Sequence, residues 1–478
     1  MTRVLVYSHD TYGLGNIRRM LEITEHLVGE DPEMSALVIT GSPMIHAFRI
    51  PQRVDYIKLP CVGRDEQGAA GVRSLGLDYA STMRMRANMI LMAARDFAPD
   101  VVIVDKKPLG IDDELEAMIA MLRAGGSPPA MVLLLRDILD APERTVQQWR
   151  TGRYHDAIQA YYDRVLVVGE PEVFDVASEY AFPPPSAARL AYCGYIARRS
   201  ALKPRDEVRA GFGLGLQQPL VLLTAGGGAD GLTLMRSYLN GLLGCTQPPG
   251  WSTLLVAGPE LDAPARAELA ELATRCTNVV CIDFTREMLS CMNAADLVVA
   301  MGGYNTVCEL LTLRKPCIIV PRVVPVQEQW IRARRMQAVG LLDAIHPDDL
   351  TPALLQRKIE LNLRTIAAGT RRPELAMTGL PRLQAQVAGL LAARRSAHLH
   401  RAPLPLPAGM GATPGLAPPA ALADHGADAQ RAAPGHDHAA DERRDTLAAC
   451  TVQLDAALHA LARSLGRPQP GGLQALAA

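Results

Sequence analysis

The chain has 478 residues, of which 49% are hydrophobic and 21% charged, and its formal net charge at pH 7 is -1. This composition is that of a globular protein long enough for two or three domains, and it lacks the basic excess that binding to nucleic acid requires. Nine scattered cysteines without a C-x-x-C pair argue against a disulfide framework and against a zinc site.

The N-terminal part of the sequence predicts a parallel sheet. Short runs of Val, Ile and Leu alternate with segments of helical period, which is typical of βα units. Five strands are predicted, at residues 3–7, 36–40, 101–104, 131–135 and 164–168. The first leaves no room for a signal peptide before it, and no run of 18 uncharged apolar residues occurs, so we expect a cytoplasmic protein.

A polar loop follows the first predicted strand. In open α/β sheets such a loop faces the ligand crevice, which makes His9, Asp10 and Asn16 the candidate catalytic residues. His9 or Asp10 can act as a general base toward a hydroxyl acceptor. Asn16 is equally suited to cap the next helix and Asp10 to close an Asx turn, so both interpretations stay open. The acceptor side of the cleft is assigned to Gly13, Gly15 and Arg18.

A methionine-rich helix is predicted around residues 83–92. Methionine packs into cores and also suits contact with a lipid-linked acceptor, and the sequence does not decide between these roles. Peripheral contact with the inner face of the membrane is therefore kept beside a purely cytoplasmic location.

A second series of five strands is predicted at residues 220–224, 253–257, 279–283, 297–300 and 316–320. Together the two series predict an α/β fold of two doubly wound Rossmann-like domains, residues 1–196 and 197–393, facing a central cleft that holds the site. Composition predicts a low-complexity linker over 394–440. Helical period returns from Asp441 to Leu465, which predicts a helical tail over residues 441–478.

Two glycine-rich turns of the second domain are suited to a nucleotide diphosphate. Gly226, Gly227 and Gly228 follow one predicted strand and offer consecutive N–H groups to an anion, although a plain flexible turn has the same sequence. Gly302 and Gly303 follow another strand and open a helix, whose N-terminus favours a diphosphate.

The helix after Gly303 carries two further candidates. Thr306 can donate a hydroxyl hydrogen bond to the diphosphate, and Glu309 can accept hydrogen bonds from two ribose hydroxyls. The alternative is that the glycine pair only permits a tight turn and that Glu309 is a solvated carboxylate on the helix face.

These segments together resemble the GT-B glycosyltransferases and, within them, glycosyltransferase family 28, typified by the peptidoglycan lipid-intermediate N-acetylglucosaminyltransferases. The resemblance covers about residues 3–390 and is most specific over 302–309 and 327–333. It implies that Glu309 binds the ribose, that Gly303 and Thr306 bind the diphosphate, and that Gln329 binds the donor sugar. The donor-binding set so implied is Gly226, Gly227, Gly228, Phe284, Thr285, Gly302, Gly303, Asn305, Thr306, Glu309, Glu328 and Gln329, with Phe284 and Thr285 lining the base.

The sequence departs from the family pattern at two places. Glu328 and Gln329 stand where the family has two glutamines, which leaves the sugar specificity open. The first loop reads Leu14-Gly15-Asn16 where the family commonly has Gly-Gly-His, and Asn16 cannot act as a base. The residues from Gly13 to Arg19 also resemble a less characterised bacterial branch of predicted glycosyltransferases.

The resemblance implies transfer of a sugar, with inversion and without a metal, from a nucleotide-diphosphate sugar to an unknown hydroxyl acceptor, either lipid-linked or a small molecule. Uridine is the favoured base. The nucleotide sugar is a co-substrate, and no other cofactor and no nucleic-acid partner is expected. Two alternatives stay open: a nucleotide-sugar 2-epimerase or hydrolase on the same fold, and a non-catalytic nucleotide-sugar-binding protein.

Overall fold

The computed structural model describes residues 1–399 except 10–14, 65–69, 73–74, 199–200 and 229. Over this range the chain forms two large parallel sheets flanked by helices, which confirms the predicted α/β class with two Rossmann-like domains. The predicted tail over 441–478 and nearly all of the predicted linker over 394–440 lie outside the described residues, so both stay predictions.

The N-terminal half contains one large sheet and a small hairpin. Its strands are β1 (Thr2–Ser8), β2 (Met34–Thr40), β3 (Val54–Lys58), β4 (Val62–Arg64), β5 (Ala70–Val72), β6 (Val101–Asp105), β7 (Ala130–Arg136), β8 (Arg164–Val168) and β9 (Leu190–Tyr192). Its helices are α1 (Gly15–Glu30), α2 (Tyr79–Phe97), α3 (Glu116–Ala124), α4 (Pro142–Thr151), α5 (Tyr154–Tyr161), α6 (Val176–Glu179) and α7 (Pro184–Ala187). The large sheet is parallel with the order β3-β2-β1-β6-β7-β8-β9, and β4 pairs with β5 in an antiparallel hairpin.

The C-terminal half also forms a parallel sheet flanked by helices, with six strands. They are β10 (Leu220–Thr224), β11 (Ser252–Val256), β12 (Val279–Ile282), β13 (Leu297–Ala300), β14 (Cys317–Ile319) and β15 (Asp343–Ala344). Its helices are α8 (Arg205–Gly211), α9 (Leu232–Leu243), α10 (Ala263–Thr274), α11 (Met288–Ala294), α12 (Tyr304–Thr312), α13 (Glu328–Ala338), α14 (Pro352–Ala367) and α15 (Gly379–Leu399). The parallel sheet has the order β12-β11-β10-β13-β14-β15.

All ten predicted strands are confirmed, each to within two residues at either end. The central strands β6, β10 and β11 are buried along their whole length. Helices cover both faces of such a strand, which is why it reads as a nearly continuous apolar run. The sequence did not reveal β3, β9 and β15, and all three are edge strands of their sheets. Strand β3 contains Asp55 and Lys58, and β9 and β15 have only three and two residues, so none of them forms that apolar run. The three-residue strands β4 and β5 were not predicted either.

The last described helix, α15, returns from the C-terminal domain to the N-terminal one. It packs against α1 and β7, and Arg394 forms an ion pair with Asp163 at 2.9 Å. The N-terminal domain is therefore completed by a segment from far along the chain. None of the described helices is both long and apolar enough to span a membrane.

A buried ion pair joins the two domains at the carboxyl ends of their strands. Asp137, which follows β7, accepts two hydrogen bonds of 2.9 Å from Arg332 of α13, and neither side chain is exposed. Tyr195 donates to Asp137 at 2.8 Å, and Arg332 also donates to the carbonyl of Gly302 at 2.9 Å. The glycine turn at Gly302 is thereby held in a fixed position relative to the N-terminal sheet.

Removing one partner of this pair is expected to destabilise the protein strongly. Arg332→Met leaves Asp137 charged and buried with Tyr195 as its remaining side-chain donor, and breaking such a pair costs about 3–5 kcal/mol. The free energy of unfolding, measured by urea denaturation, should fall by that amount. The control Arg153→Met removes an exposed ion pair with Asp156 and should change it little. Equal small effects in both variants would contradict this interpretation.

Candidate functional site

The glycine turn at Gly302 and Gly303 joins β13 to α12. A side chain at Gly302 would be tightly packed, because an added Cβ would lie 3.1 Å from Ile319 Cγ2 and 3.2 Å from the Gln329 carbonyl oxygen. At Gly303 the nearest atom to an added Cβ would be Thr306 Oγ1, at 4.0 Å. Gly303 is the N-cap of α12 and, as a glycine, makes no side-chain hydrogen bond that caps the helix. The first N–H groups of a helix lack partners within it, which makes such an end suited to an anion.

The second glycine loop lies beside this end of α12. Gly226 and Gly228 have φ angles of 70° and 98°, which glycine adopts without strain. An added Cβ at Gly228 would lie 2.5 Å from the Ala257 carbonyl oxygen, and one at Gly226 would lie 3.9 Å from Thr306 Oγ1. Gly226 and Gly227 are exposed. The loop meets α12 because β10 and β13 are neighbours in the sheet, so the predicted parts of the diphosphate site lie together.

Glu309 is buried in α12 between two arginines. Its Oε1 lies 2.9 Å from Arg18 Nη2 and 3.8 Å from Arg198 Nε, and only 4% of its side chain is exposed. Burial raises the pKa of Glu309, and the two arginines offset this only in part. This geometry excludes the alternative in which Glu309 is a solvated carboxylate. Arg18, assigned from the sequence to the acceptor side, contacts the donor helix instead.

The beginning of α1 lies against the beginning of α12. Asn305 Nδ2 donates a hydrogen bond of 3.1 Å to the carbonyl of Gly15, and Asn16 Nδ2 donates one of 2.9 Å to the carbonyl of His9. The amide of Asn16 therefore holds the backbone of the preceding loop. Through these two bonds, the predicted catalytic loop and the predicted donor helix are directly connected.

His9 lies just beyond β1 and is 8% exposed. Its Nδ1 has no hydrogen-bond partner among the described residues. Burial lowers the pKa of His9 well below its usual value, and four neighbouring cations lower it further. These are Lys106, Lys107, Arg86 and Arg136. The imidazole is thus neutral at pH 7, the form that accepts a proton. The other candidate base, Asp10, and Gly13 lie outside the described residues.

Glu328 and Gln329, the predicted ligands of the donor sugar, are both buried at the start of α13. Gln329 Oε1 accepts a hydrogen bond of 3.1 Å from the backbone N–H of Arg322. Glu328 Oε2 lies 2.7 Å from Arg136 Nη1 of the N-terminal domain. Burial raises the pKa of Glu328, but the charges of Arg136 and Arg332 outweigh this and leave it below its usual value. A sugar hydroxyl at Glu328 would therefore meet a carboxylate that only accepts hydrogen bonds.

Phe284 and Thr285, predicted to line the base, follow the edge strand β12. Phe284 is 56% exposed, and Thr285 Oγ1 accepts a hydrogen bond of 3.1 Å from the Glu287 N–H. Strand β12 lies three strand spacings from β13, roughly 14 Å across the sheet. Both residues are on the ligand-facing edge, but the structure does not place them next to the glycine turn.

Several charged residues of the cleft were not singled out from the sequence. Lys106 and Lys107 come just after Asp105, the residue that follows the predicted strand at 101–104. Because the carboxyl ends of parallel strands face the ligand crevice, the position of these lysines could have been recognised from the sequence. Burial and the nearby charge of Arg136 lower the pKa of Lys106 to about 8. Arg198 and Arg332 carried no such signal, because their partners are distant in sequence.

Comparison with known proteins identifies the C-terminal domain. Residues 250–374 match the glycosyltransferase family 28 C-terminal domain. A UDP-N-acetylglucosamine--N-acetylmuramyl-(pentapeptide) pyrophosphoryl-undecaprenol N-acetylglucosamine transferase of Oenococcus oeni is 26% identical over 353 residues, 71% of this chain and 84% of that protein. An uncharacterized glycosyltransferase of Methanopyrus kandleri is 26% identical over 34% of this chain and 43% of its own length. Another from Methanosarcina acetivorans is 23% identical over 56% of its length, so the chain spans about half of these two relatives.

Solved structures identify the fold. Acinetobacter baumannii MurG superposes with a TM-score of 0.51 at 14% identity, covering 83% of this chain and 100% of that one. CalG4, the calicheamicin glycosyltransferase, superposes with a TM-score of 0.50 at 15% identity, covering 84% and 100%. The predicted GT-B fold is thereby confirmed, and the match at residues 250–374 confirms the predicted resemblance to glycosyltransferase family 28.

Replacement of His9 is expected to make the free energy of unfolding depend less on pH between pH 7 and pH 5. Because the folded protein lowers the pKa of His9, the unfolded chain binds a proton below about pH 6.5 that the folded chain does not. The wild-type protein should thus lose up to about 1.4 kcal/mol of unfolding free energy per pH unit through His9, and His9→Gln should not. Urea denaturation at pH 7, 6 and 5 measures the two slopes. The exposed His46 supplies the control His46→Gln, which should keep the wild-type slope. Equal slopes for all three proteins would contradict the conclusion that folding lowers the pKa of His9.

Proposed function

From its family 28 C-terminal domain and its GT-B fold, we propose that this chain transfers a sugar from a nucleotide-diphosphate sugar to a hydroxyl group of an acceptor. One observation carries the proposal: the loop bearing His9 is bonded to Asn16, and the adjacent Gly15 is bonded to Asn305 of the donor helix. A neutral imidazole thus belongs to the same hydrogen-bonded unit as the helix end suited to a diphosphate. Uridine is the proposed base, because the relative from Oenococcus oeni is named for UDP-N-acetylglucosamine.

The donor is proposed to lie along the carboxyl edge of the C-terminal sheet. Its diphosphate would occupy the space before Gly303 and beside Gly226, because an added Cβ at either glycine would lie about 4 Å from the same atom, Thr306 Oγ1, and a helix N-terminus and a glycine loop both suit an anion. Its ribose would bind Glu309, the buried carboxylate of the same helix. Its sugar would bind Gln329 and Glu328 at the start of α13.

The proposed chemistry is a single displacement with inversion. His9 accepts the proton of the acceptor hydroxyl as that oxygen forms a bond to the anomeric carbon of the sugar. The bond from this carbon to the diphosphate oxygen breaks, and the nucleoside diphosphate leaves with the electron pair. The positive end of α12 and the N–H groups of the Gly226 to Gly228 loop stabilise the developing charge, so the step as proposed needs no metal.

The acceptor is proposed to be lipid-linked and anionic. The relative from Oenococcus oeni is named for a pyrophosphoryl-undecaprenol substrate, and the charges of Lys106, Lys107, Arg86 and Arg136 all act on His9 and lower its pKa. Helix α2 of the same domain has Met92 42% exposed, which supports peripheral contact with a membrane surface. A small-molecule acceptor remains the alternative, and turnover assays with both kinds of acceptor separate the two.

Binding of UDP-N-acetylglucosamine and a panel of other nucleotide sugars, measured by calorimetry, tests the donor pocket. Glu309→Gln should weaken the binding about tenfold or more, because hydrogen bonds to a charged group contribute about 1.5–3 kcal/mol. The control Glu268→Gln removes an exposed carboxylate paired with Arg236 and should bind like the wild type. If no nucleotide sugar binds, or if Glu309→Gln binds as well as the control, the donor-pocket proposal is wrong.

Turnover separates the proposed transferase from the other enzyme class. Release of the nucleoside diphosphate should require an added acceptor and should fall sharply in His9→Gln. Conversion of the nucleotide sugar without any acceptor would instead favour the 2-epimerase or hydrolase. Tight binding without turnover by any acceptor tested would favour the non-catalytic binding protein.

A further inference from the structure

Two consecutive arginines at the start of α1 have different environments. Arg19 is 3% exposed and bonds to Asp105 at 2.7 Å in the interior of the N-terminal domain. The side chain of Arg18 is 40% exposed and extends across to Glu309 of the C-terminal domain, at 2.9 Å. Arg19 is thus fixed in the protein interior, whereas the side chain of Arg18 is partly exposed to solvent.

The second arginine at Glu309 is held in place independently of Arg18. Arg198 is 8% exposed and forms an ion pair with Glu22 of α1, while its Nε lies 3.8 Å from Glu309 Oε1. If Arg18 moves away, Arg198 still stands near the buried carboxylate. Glu309 can therefore exchange one partner without becoming an isolated buried charge, which would be costly.

The contact between Arg18 and Glu309 conflicts with the proposed binding of the donor ribose. Only 4% of the Glu309 side chain is exposed, and Arg18 Nη2 lies 2.9 Å from its Oε1, so the guanidinium lies where a hydroxyl donating to that oxygen would have to bind. A ribose hydroxyl that donates to Glu309 must displace the guanidinium. The diphosphate of the same ligand offers the displaced guanidinium a new anionic partner.

We propose that Arg18 is a specificity-determining residue of the donor site, which occupies the ribose position in the free protein and turns to the diphosphate when a nucleoside diphosphate binds. This inference rests on the proposed function and deepens it. Arg18 lies one helical turn after Gly15, which bonds to Asn305 at the first turn of α12. The helix from Asn305 to Glu309 rises only about 6 Å, so a rotation of the side chain reaches from the ribose position to the helix end.

The exchange gives Arg18 opposite effects on two ligands. A nucleoside must displace Arg18 from Glu309 and offers it no anion in return. A nucleoside diphosphate displaces it equally but accepts charge-assisted hydrogen bonds from the guanidinium. Arg18 therefore weakens the binding of the nucleoside and strengthens that of the diphosphate, so the site discriminates between them more than the backbone N–H groups alone would.

Calorimetric titration of Arg18→Met with uridine and with UDP tests this inference. We expect the affinity for UDP to fall about tenfold or more and the affinity for uridine to stay the same or rise. Arg236→Met serves as the matched control, because Arg236 is 43% exposed and also paired with a glutamate, Glu268. A parallel loss of both affinities would mean that Arg18 only supports the structure, and unchanged affinities would mean that it takes no part; either result overturns the inference.

The same titrations on Glu309→Gln separate a failure of this inference from a failure of the proposed function. If Glu309→Gln weakens the binding of both UDP and uridine, while Arg18→Met does not change the two affinities in different ways, the donor pocket is supported and the exchange at Arg18 is wrong. If the wild-type protein binds neither ligand, or Glu309→Gln binds both normally, the pocket itself is wrong and the inference fails with it. Thermal unfolding of each variant, followed by circular dichroism, verifies that the loss is not a loss of folding.

Discussion

The geometry of the cleft depends on the buried ion pair between Asp137 and Arg332. Two charges taken out of water are tolerated only when their hydrogen bonds are satisfied, and here the guanidinium bonds both to the carboxylate and to the Gly302 carbonyl. Arg332 also lies over the ring of Tyr304, with Arg19 contributing a similar contact, at 5.5 and 5.7 Å. The first residue of α12 is thus held by both domains.

The contacts that hold Tyr304 also fix the direction of helix α12. Tyr304 donates a further hydrogen bond of 3.0 Å to the carbonyl of Val168, at the end of an N-terminal strand. The helix dipole of α12 is therefore aimed before any ligand arrives. Oriented dipoles that do not need to reorganise are the most effective stabilisers of developing charge, which is what departure of a diphosphate demands.

Glu328 and Glu309, two residues predicted to bind the donor, are paired with arginines from the N-terminal domain. Arg136 lies 2.7 Å from Glu328 and Arg18 lies 2.9 Å from Glu309. A donor must exchange these internal contacts for its own, so only the difference between the two sets appears as affinity. Both acidic residues of the predicted donor site are thus already paired with cations of the N-terminal domain.

The sequence was informative wherever a local pattern reflects the structure and silent where distant residues meet. Buried strands read as apolar runs, and the Gly302-Gly303 turn with Glu309 could be recognised because strand, turn and helix are contiguous. The ion pair of Asp137 and Arg332 joins residues almost two hundred positions apart, and no local sequence pattern predicts it. For the same reason Arg18 was placed on the acceptor side, although the packing of α1 against α12 brings it to Glu309.

The central claim is that the N-terminal end of α12 and Glu309 form a nucleotide-diphosphate pocket. A crystal structure of the protein with UDP tests it most directly. The account predicts the diphosphate before Gly303, within hydrogen-bond distance of Thr306, and the ribose hydroxyls on Glu309. UDP bound elsewhere, with the ion pair of Arg18 and Glu309 intact and the space before Gly303 empty, would contradict it.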